Sequence, residues 1–310
     1  MTDTPGLVEL EAGALHAAIA PAVGGSLASL RARLPDGRWL DWLRPAVPRG
    51  LADRHPLAMA SFPLLPFCGP MRHGRASFEG REIRFPPNHP AEDSPHPLHG
   101  IGWQQAWQVA DAQRQAARLV LTVPATAAWP WRFSAVQRYQ LSEQQLRVSI
   151  AVTNEDEAAM PAGIGHHPCF PHIAGTRLRT AAAGMWTTDH EALPVDVEVN
   201  EAVRRLREGA LLADLHLDNG FTGWEREALV EWAGDEEGPP RSLLIEAAPP
   251  LDFFMLHSPR GYDHFCLAPV SQCGDALNLA PRWGADAIGG TRLEPGATLE
   301  AHFTLTPRWR

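Results

Sequence analysis

LRVSIAVT at residues 146–153 and LEAHFTLT at residues 299–306 decide the fold class. In the first, Leu146, Val148, Ile150 and Val152 fall on one face, with Arg147, Ser149 and Thr153 opposite. In the second, Leu299, Ala301, Phe303 and Leu305 alternate with Glu300, His302 and Thr304. A period of two is the signature of a half-buried strand, because successive side chains leave a pleated backbone on opposite sides. Residues 118–123 and 136–141 repeat the pattern, and residues 142–145 separate two such runs as a hairpin turn would. Residues 243–245 and 265–267 are short apolar runs and are expected as strands buried on both faces. Pro249-Pro250 reads as a turn. The acidic stretch 234–240 reads as a solvated loop tip.

The 26 Gly and 29 Pro are spread along all 310 residues, which leaves little room for long helices. One helix is expected at residues 201–212, with Asn200 as its N-cap and Gly209 as a weak point. Neither an internal repeat nor a low-complexity linker divides the chain. The expectation is therefore one all-β domain over residues 1–310, a large antiparallel β-sandwich.

Composition narrows the chemistry. The chain carries 27 basic and 36 acidic residues, for a net charge of −9. That balance argues against nucleic acid and anionic membranes as partners. Every basic residue is Arg, so Schiff-base and phosphate-loop lysine chemistry are excluded. Cys68, Cys169, Cys266 and Cys273 form no CxxC pair and are expected as buried free thiols. The opening MTDTPGLVELE lacks an apolar signal core, and no run of 18 apolar residues occurs. A cytoplasmic protein, monomer or homodimer, is the corresponding expectation.

Two histidine-bearing turns stand out, HPLHGIGW at residues 96–103 and GIGHHPCFP at residues 163–171. Histidine suits proton transfer near neutral pH. Gly100 is expected to let a ligand approach the backbone beside His99. Pro168 biases His167 towards an extended conformation. His96, His99, His166, His167 and His172 match no HExxH spacing, and Pro97 breaks any helix that would pair His96 with His99. No metal is therefore expected there.

In order along the chain, Gly24-Gly25-Ser26-Leu27, Pro66-Phe67, Arg72, Gly74-Arg75, Phe78-Glu79-Gly80-Arg81 and Asn88 are followed by His99-Gly100-Ile101-Gly102-Trp103 and Trp107. Gly165, His167-Pro168, Phe170, Leu217-Asp218-Asn219, Phe221, Pro269, Asp275-Ala276, Asn278 and Pro295-Gly296 come later. This ordered set resembles the aldose 1-epimerase (galactose mutarotase) family. The resemblance implies a galactose mutarotase-like supersandwich with a sugar cleft on one face. It also implies α/β anomer interconversion of a free monosaccharide by acid–base ring opening, with no cofactor.

By that resemblance, His167 corresponds to the proton donor, His99 to the second sugar-binding histidine and Asp218 to the sugar-binding aspartate. Trp103, beside the His99 motif, is a further candidate for sugar contact. The family's catalytic glutamate falls at Ala268, within Phe265-Cys266-Leu267-Ala268-Pro269. Its arginine falls in Cys68-Gly69-Pro70, with Arg72 the nearest substitute. Three readings follow. His99, Asp252, Asp263, His264 or Asp275 replaces the base; or the chain binds carbohydrate without turnover; or Ala268 is an inactivating change, which would leave Gly69-Pro70 unexplained. A hexose-6-phosphate 1-epimerase would need a cationic phosphate pocket built from arginines alone.

Overall fold

The computed structural model describes residues 6–90, 93–234 and 238–309. Residues 235–237 of the acidic stretch lie outside them, as do the first five residues of the chain. The two deciding stretches become the strands Leu146–Asn154 and Thr298–Trp309. They pair with each other, Leu146 opposite Leu305 and Val152 opposite Leu299. Around them a nine-stranded antiparallel sheet runs Ala210–Leu211, Arg177–Thr180, Glu227–Trp232, Arg241–Ala247, Thr298–Trp309, Leu146–Asn154, Phe133–Leu141, Ala116–Val123, Gln108–Gln113. The expected hairpin is present, with Ser142 N–H bonded to Gln145 O at 2.9 Å.

A second sheet has eight strands. Its path is Pro194–Glu198, Gly184–Thr188, Asp218–Thr222, Phe253–His257, His264–Val270, Gly165–His166 and Pro63–Leu64. Cys169–Pro171 also pairs with His264–Val270. Phe254, Leu256, Phe265 and Leu267 from this sheet join Ile150, Ile245 and Phe303 of the other in one core. The fold is thus the expected all-β sandwich. Most of its stability comes from apolar area removed from water between the layers. A four-stranded sheet, Val8–Ala12 to Trp39–Asp41, adds Leu10, Leu15 and Leu40 to the same core.

Three expectations need correction. The helix ends earlier, at Glu201–Glu208, because Gly209 takes φ 94° and closes it; Asn200 does cap it, accepting from Val203 N–H. Residues 243–245 are not buried on both faces, since Leu244 is half-buried between buried Leu243 and Ile245. Finally, Cys169 and Cys266 form a disulfide, while Cys68 and Cys273 are free and buried. Antiparallel register sets the pair directly opposite, with Cα atoms 4.2 Å apart across 97 residues of sequence. No local spacing reports such a pairing.

His166 shows how tightly the core is wired. Its Nδ1 meets Ser61 Oγ at 2.5 Å, and its Nε2 lies 3.2 Å from Gln137 Oε1. Burial lowers its pKa to about 3, with neighbouring His167 adding to the effect. The unfolded chain would bind a proton at pH 6.5, whereas the folded chain resists it until about pH 3. Stability therefore rises with pH across that window and is lost on acidification, by about 1.4 kcal/mol per pH unit for such a group. Thermal unfolding followed from pH 7 to 4 should show this fall, with a shallower slope in His166→Gln. In the same core, Ile150→Ala should cost about 2–5 kcal/mol, read as a lower urea midpoint.

Candidate active site

The pleat of the eight-stranded sheet sorts the second histidine turn. His166 points into the core, where its ring lies 5.6 Å from that of Phe303. His167, one residue on, leaves on the opposite face. Pro168 has no N–H, and the strand is interrupted there between Gly165–His166 and Cys169–Pro171. Two hydrogen bonds hold the break, His167 N–H to Phe62 O at 2.8 Å and Cys169 N–H to Ala60 O at 2.9 Å. The His167 ring stacks on Phe62 at 4.6 Å and 9°.

His99 comes from the other turn, in a left-handed conformation of φ 58°. Its N–H donates to Gly69 O at 2.9 Å, and its Nδ1 accepts from Gly69 N–H at 3.1 Å. Burial drives its pKa down to about 3, helped by the charge of His89. The neutral ring therefore carries its proton on Nε2. His99 offers a ligand a donor, which rules it out as the replacement base at that nitrogen. Gly100, at φ 70°, serves packing rather than ligand approach, since a Cβ there would sit 2.3 Å from Leu65 O.

The rings of His99 and His167 lie 5.4 Å apart. The His167 pKa falls well below the ordinary value because burial disfavours its cation, as do the charges of His99 and His257. Trp103 is fully buried. Its ring is 5.6 Å from His99 and 5.5 Å from Phe62, so it braces the histidines and offers no open face to a sugar.

Ala268 sits opposite Met255 in the strand pairing and is fully buried. Next to that pair, His257 opposes Cys266 on one side and Asp218 on the other. His257 Nδ1 lies 3.4 Å from Asp218 Oδ1, with the Asp218 side chain 77% exposed at the open edge. Crowding by surrounding protein pushes the Asp218 carboxyl up, but the hydrogen bond and charge of His257 outweigh this and hold it below its ordinary value. His257 is the residue that sequence reasoning missed. The usable signal was parity, because His257 follows Met255 by two in a buried strand and must share its face.

Arg72 is not in this group. Residues 72–74 form a 3-10 turn, not a strand, so the pairing needed to aim it at the histidines is absent. Its guanidinium meets Asp189 at 2.9 Å, Glu191 at 3.5 Å and Asp275 at 3.5 Å. At Gly69 a Cβ would lie 2.8 Å from Gly274 Cα and 3.4 Å from Met255 Sδ. Close packing therefore fills the ground where the family's arginine is expected. The carboxylates weighed as substitute bases have partners of their own. Asp252 pairs with Arg226 at 2.6 Å, Asp263 with His264 at 2.7 Å, and Asp275 accepts from Arg72 N–H at 2.9 Å.

Among the described residues, two groups bring potential metal donors within 4.8 Å, His167–Cys169–Cys266 and His73–His96–Glu191. In the first, the two sulfurs are bonded to each other. In the second, His96 Nδ1 accepts from His73 N–H at 2.9 Å, leaving the proton on the nitrogen that faces Glu191. The sulfurs of the first group and His96 of the second are thus committed.

Comparison with known proteins identifies the family. The aldose 1-epimerase family model matches residues 6–306. YphB of Escherichia coli K12, an uncharacterised protein, is 30% identical over 292 residues, covering 88% of this chain and 92% of its own length. A candidate aldose 1-epimerase of the same organism has a solved structure with TM-score 0.82 and 26% identity, covering 98% of this chain and 99% of that one. A galactose mutarotase-like protein of Clostridium acetobutylicum shares the fold, with TM-score 0.83, 18% identity, and coverage of 98% and 95%. On the family match across nearly its whole length, the chain belongs to the aldose 1-epimerase family.

Proposed function

We propose that the chain binds a free monosaccharide over His99 and His167 and interconverts its α and β anomers. One observation carries the reading: the rings of buried His99 and half-buried His167 lie 5.4 Å apart, His167 on the face of the sheet turned away from the shared core. Ring opening removes the proton from the anomeric hydroxyl while the ring oxygen gains one. His99, with its proton on Nε2, donates a hydrogen bond to a sugar oxygen. His167 is held neutral by its surroundings and so enters as a proton acceptor, the reverse of the donor role implied by family resemblance. Mutarotation is symmetric in its two half-reactions, so one residue can take a proton on opening and return it on closing.

An uncharged sugar fits better than a sugar phosphate. The arginine nearest the motif, Arg72, is already ringed by Asp189, Glu191 and Asp275, and a phosphate placed there would meet three carboxylates. The methyl group of Ala268 favours a second reading, carbohydrate binding without turnover. Polarimetry on freshly dissolved α-glucose and α-galactose separates the two. The isomerase reading predicts faster approach to equilibrium with protein present and loss of that gain in His167→Ala. Sugar binding by calorimetry, with the rate left at the buffer value, would establish the second reading instead. Glucose 6-phosphate should be turned over no better than glucose.

A further inference from the structure

The strand pairing puts four side chains in one row across the cleft face: Asp218, His257, Cys266 and Cys169. The next row holds Met255 and Ala268. His257 is thus diagonal to Ala268, close enough for an imidazole to reach over a methyl group. His167 approaches from the other flank, with its Nδ1 3.8 Å from Cys169 Sγ. The two histidines therefore flank the position where family resemblance places a carboxylate. The Nδ1 of His257 faces Asp218, which leaves its Nε2 for a ligand. The side chain is 38% exposed, so a sugar at the cleft mouth can touch it. Asp218 in turn opposes it across the strands and keeps its charge, because His257 stabilises the ionised carboxylate.

The geometry points to the Asp218–His257 pair as the second proton-carrying group of the cleft, replacing the carboxylate that Ala268 cannot supply. This rests on the isomerase reading above. Protonated His257 donates from Nε2 to the ring oxygen as the C1–O5 bond breaks, and the bonding pair goes to that oxygen. In the same step the anomeric hydroxyl gives its proton to His167, and C1=O1 forms. The aldehyde group rotates about C1–C2. On closure the O5 proton returns to His257 and the His167 proton returns to O1, restoring both residues. Asp218 is a positioning residue. It holds Nδ1–H and matches the imidazolium charge, much as a carboxylate orients a catalytic histidine elsewhere.

The test follows polarimetric rates of the wild-type protein with whichever of α-glucose and α-galactose it turns over faster. His257→Ala and His257→Gln should each lower kcat by about 10²–10⁴-fold while KM changes little. Added imidazole should restore part of the rate to His257→Ala, because the site is open to solvent. Asp218→Asn should lower kcat without imidazole rescue. Wild-type protein at the buffer rate would sink the isomerase reading itself. An active wild type with an undiminished His257→Gln would overturn the proton-carrying role of the pair and leave that reading standing. A His257→Ala defect that lies in KM and ignores imidazole would overturn it as well, marking a binding role.

Discussion

Antiparallel pairing on the strand His264–Val270 is the constraint on which the candidate site depends. Three segments dock against it, Phe253–His257 on one side and the two halves of the broken strand around His167 on the other. Side chains directly opposed across such a ladder share a face, so one register decides what meets what. A slip of this strand by one residue would turn Phe265 and Leu267 outward and send Cys266 and Ala268 into the core. The apolar alternation forbids that slip. The packing that stabilises the sandwich therefore also sets which side chains share its outer side.

Pro168 adds a local exception to that regularity. A continuous strand would present His167 as one more bonded rung. The missing N–H releases the backbone at this point, and the ring is then held by stacking on Phe62. His166 and His167 have adjacent positions and opposite fates. One is bonded on both nitrogens in the core and supports stability near neutral pH. The other stands over the cleft with burial keeping it neutral. The apolar surroundings that hold the His167 pKa down include Phe62, which is itself backed by Trp103.

The departures at Ala268 and Gly69 have a common geometric context. Both positions adjoin Met255, across the ladder in one case and through its sulfur in the other. Apolar side chain and close backbone packing thus occupy one end of the candidate site, where family resemblance implies a charged pair. The ionisable groups gather at the other end, where His257 and Asp218 meet at the exposed edge. The ionisable side chains of this face are accordingly grouped at its exposed edge rather than around Ala268.

Much was legible in the residue order. Alternation at residues 146–153 and 299–306 gave the strands, and the Gly- and Pro-flanked histidines marked the two turns that meet at the candidate site. The Asn200 cap and the hairpin at residues 142–145 are local signals and read correctly. The misses were long-range. The Cys169–Cys266 bond, the burial of Trp103, the capture of Arg72 by three carboxylates and the Asp218–His257 pair each join segments far apart in the chain. Periodicity and turn chemistry report a residue's own backbone and the side it faces. Which partner arrives on that side depends on strand order and register, and those are chosen by burying apolar area across the whole sandwich.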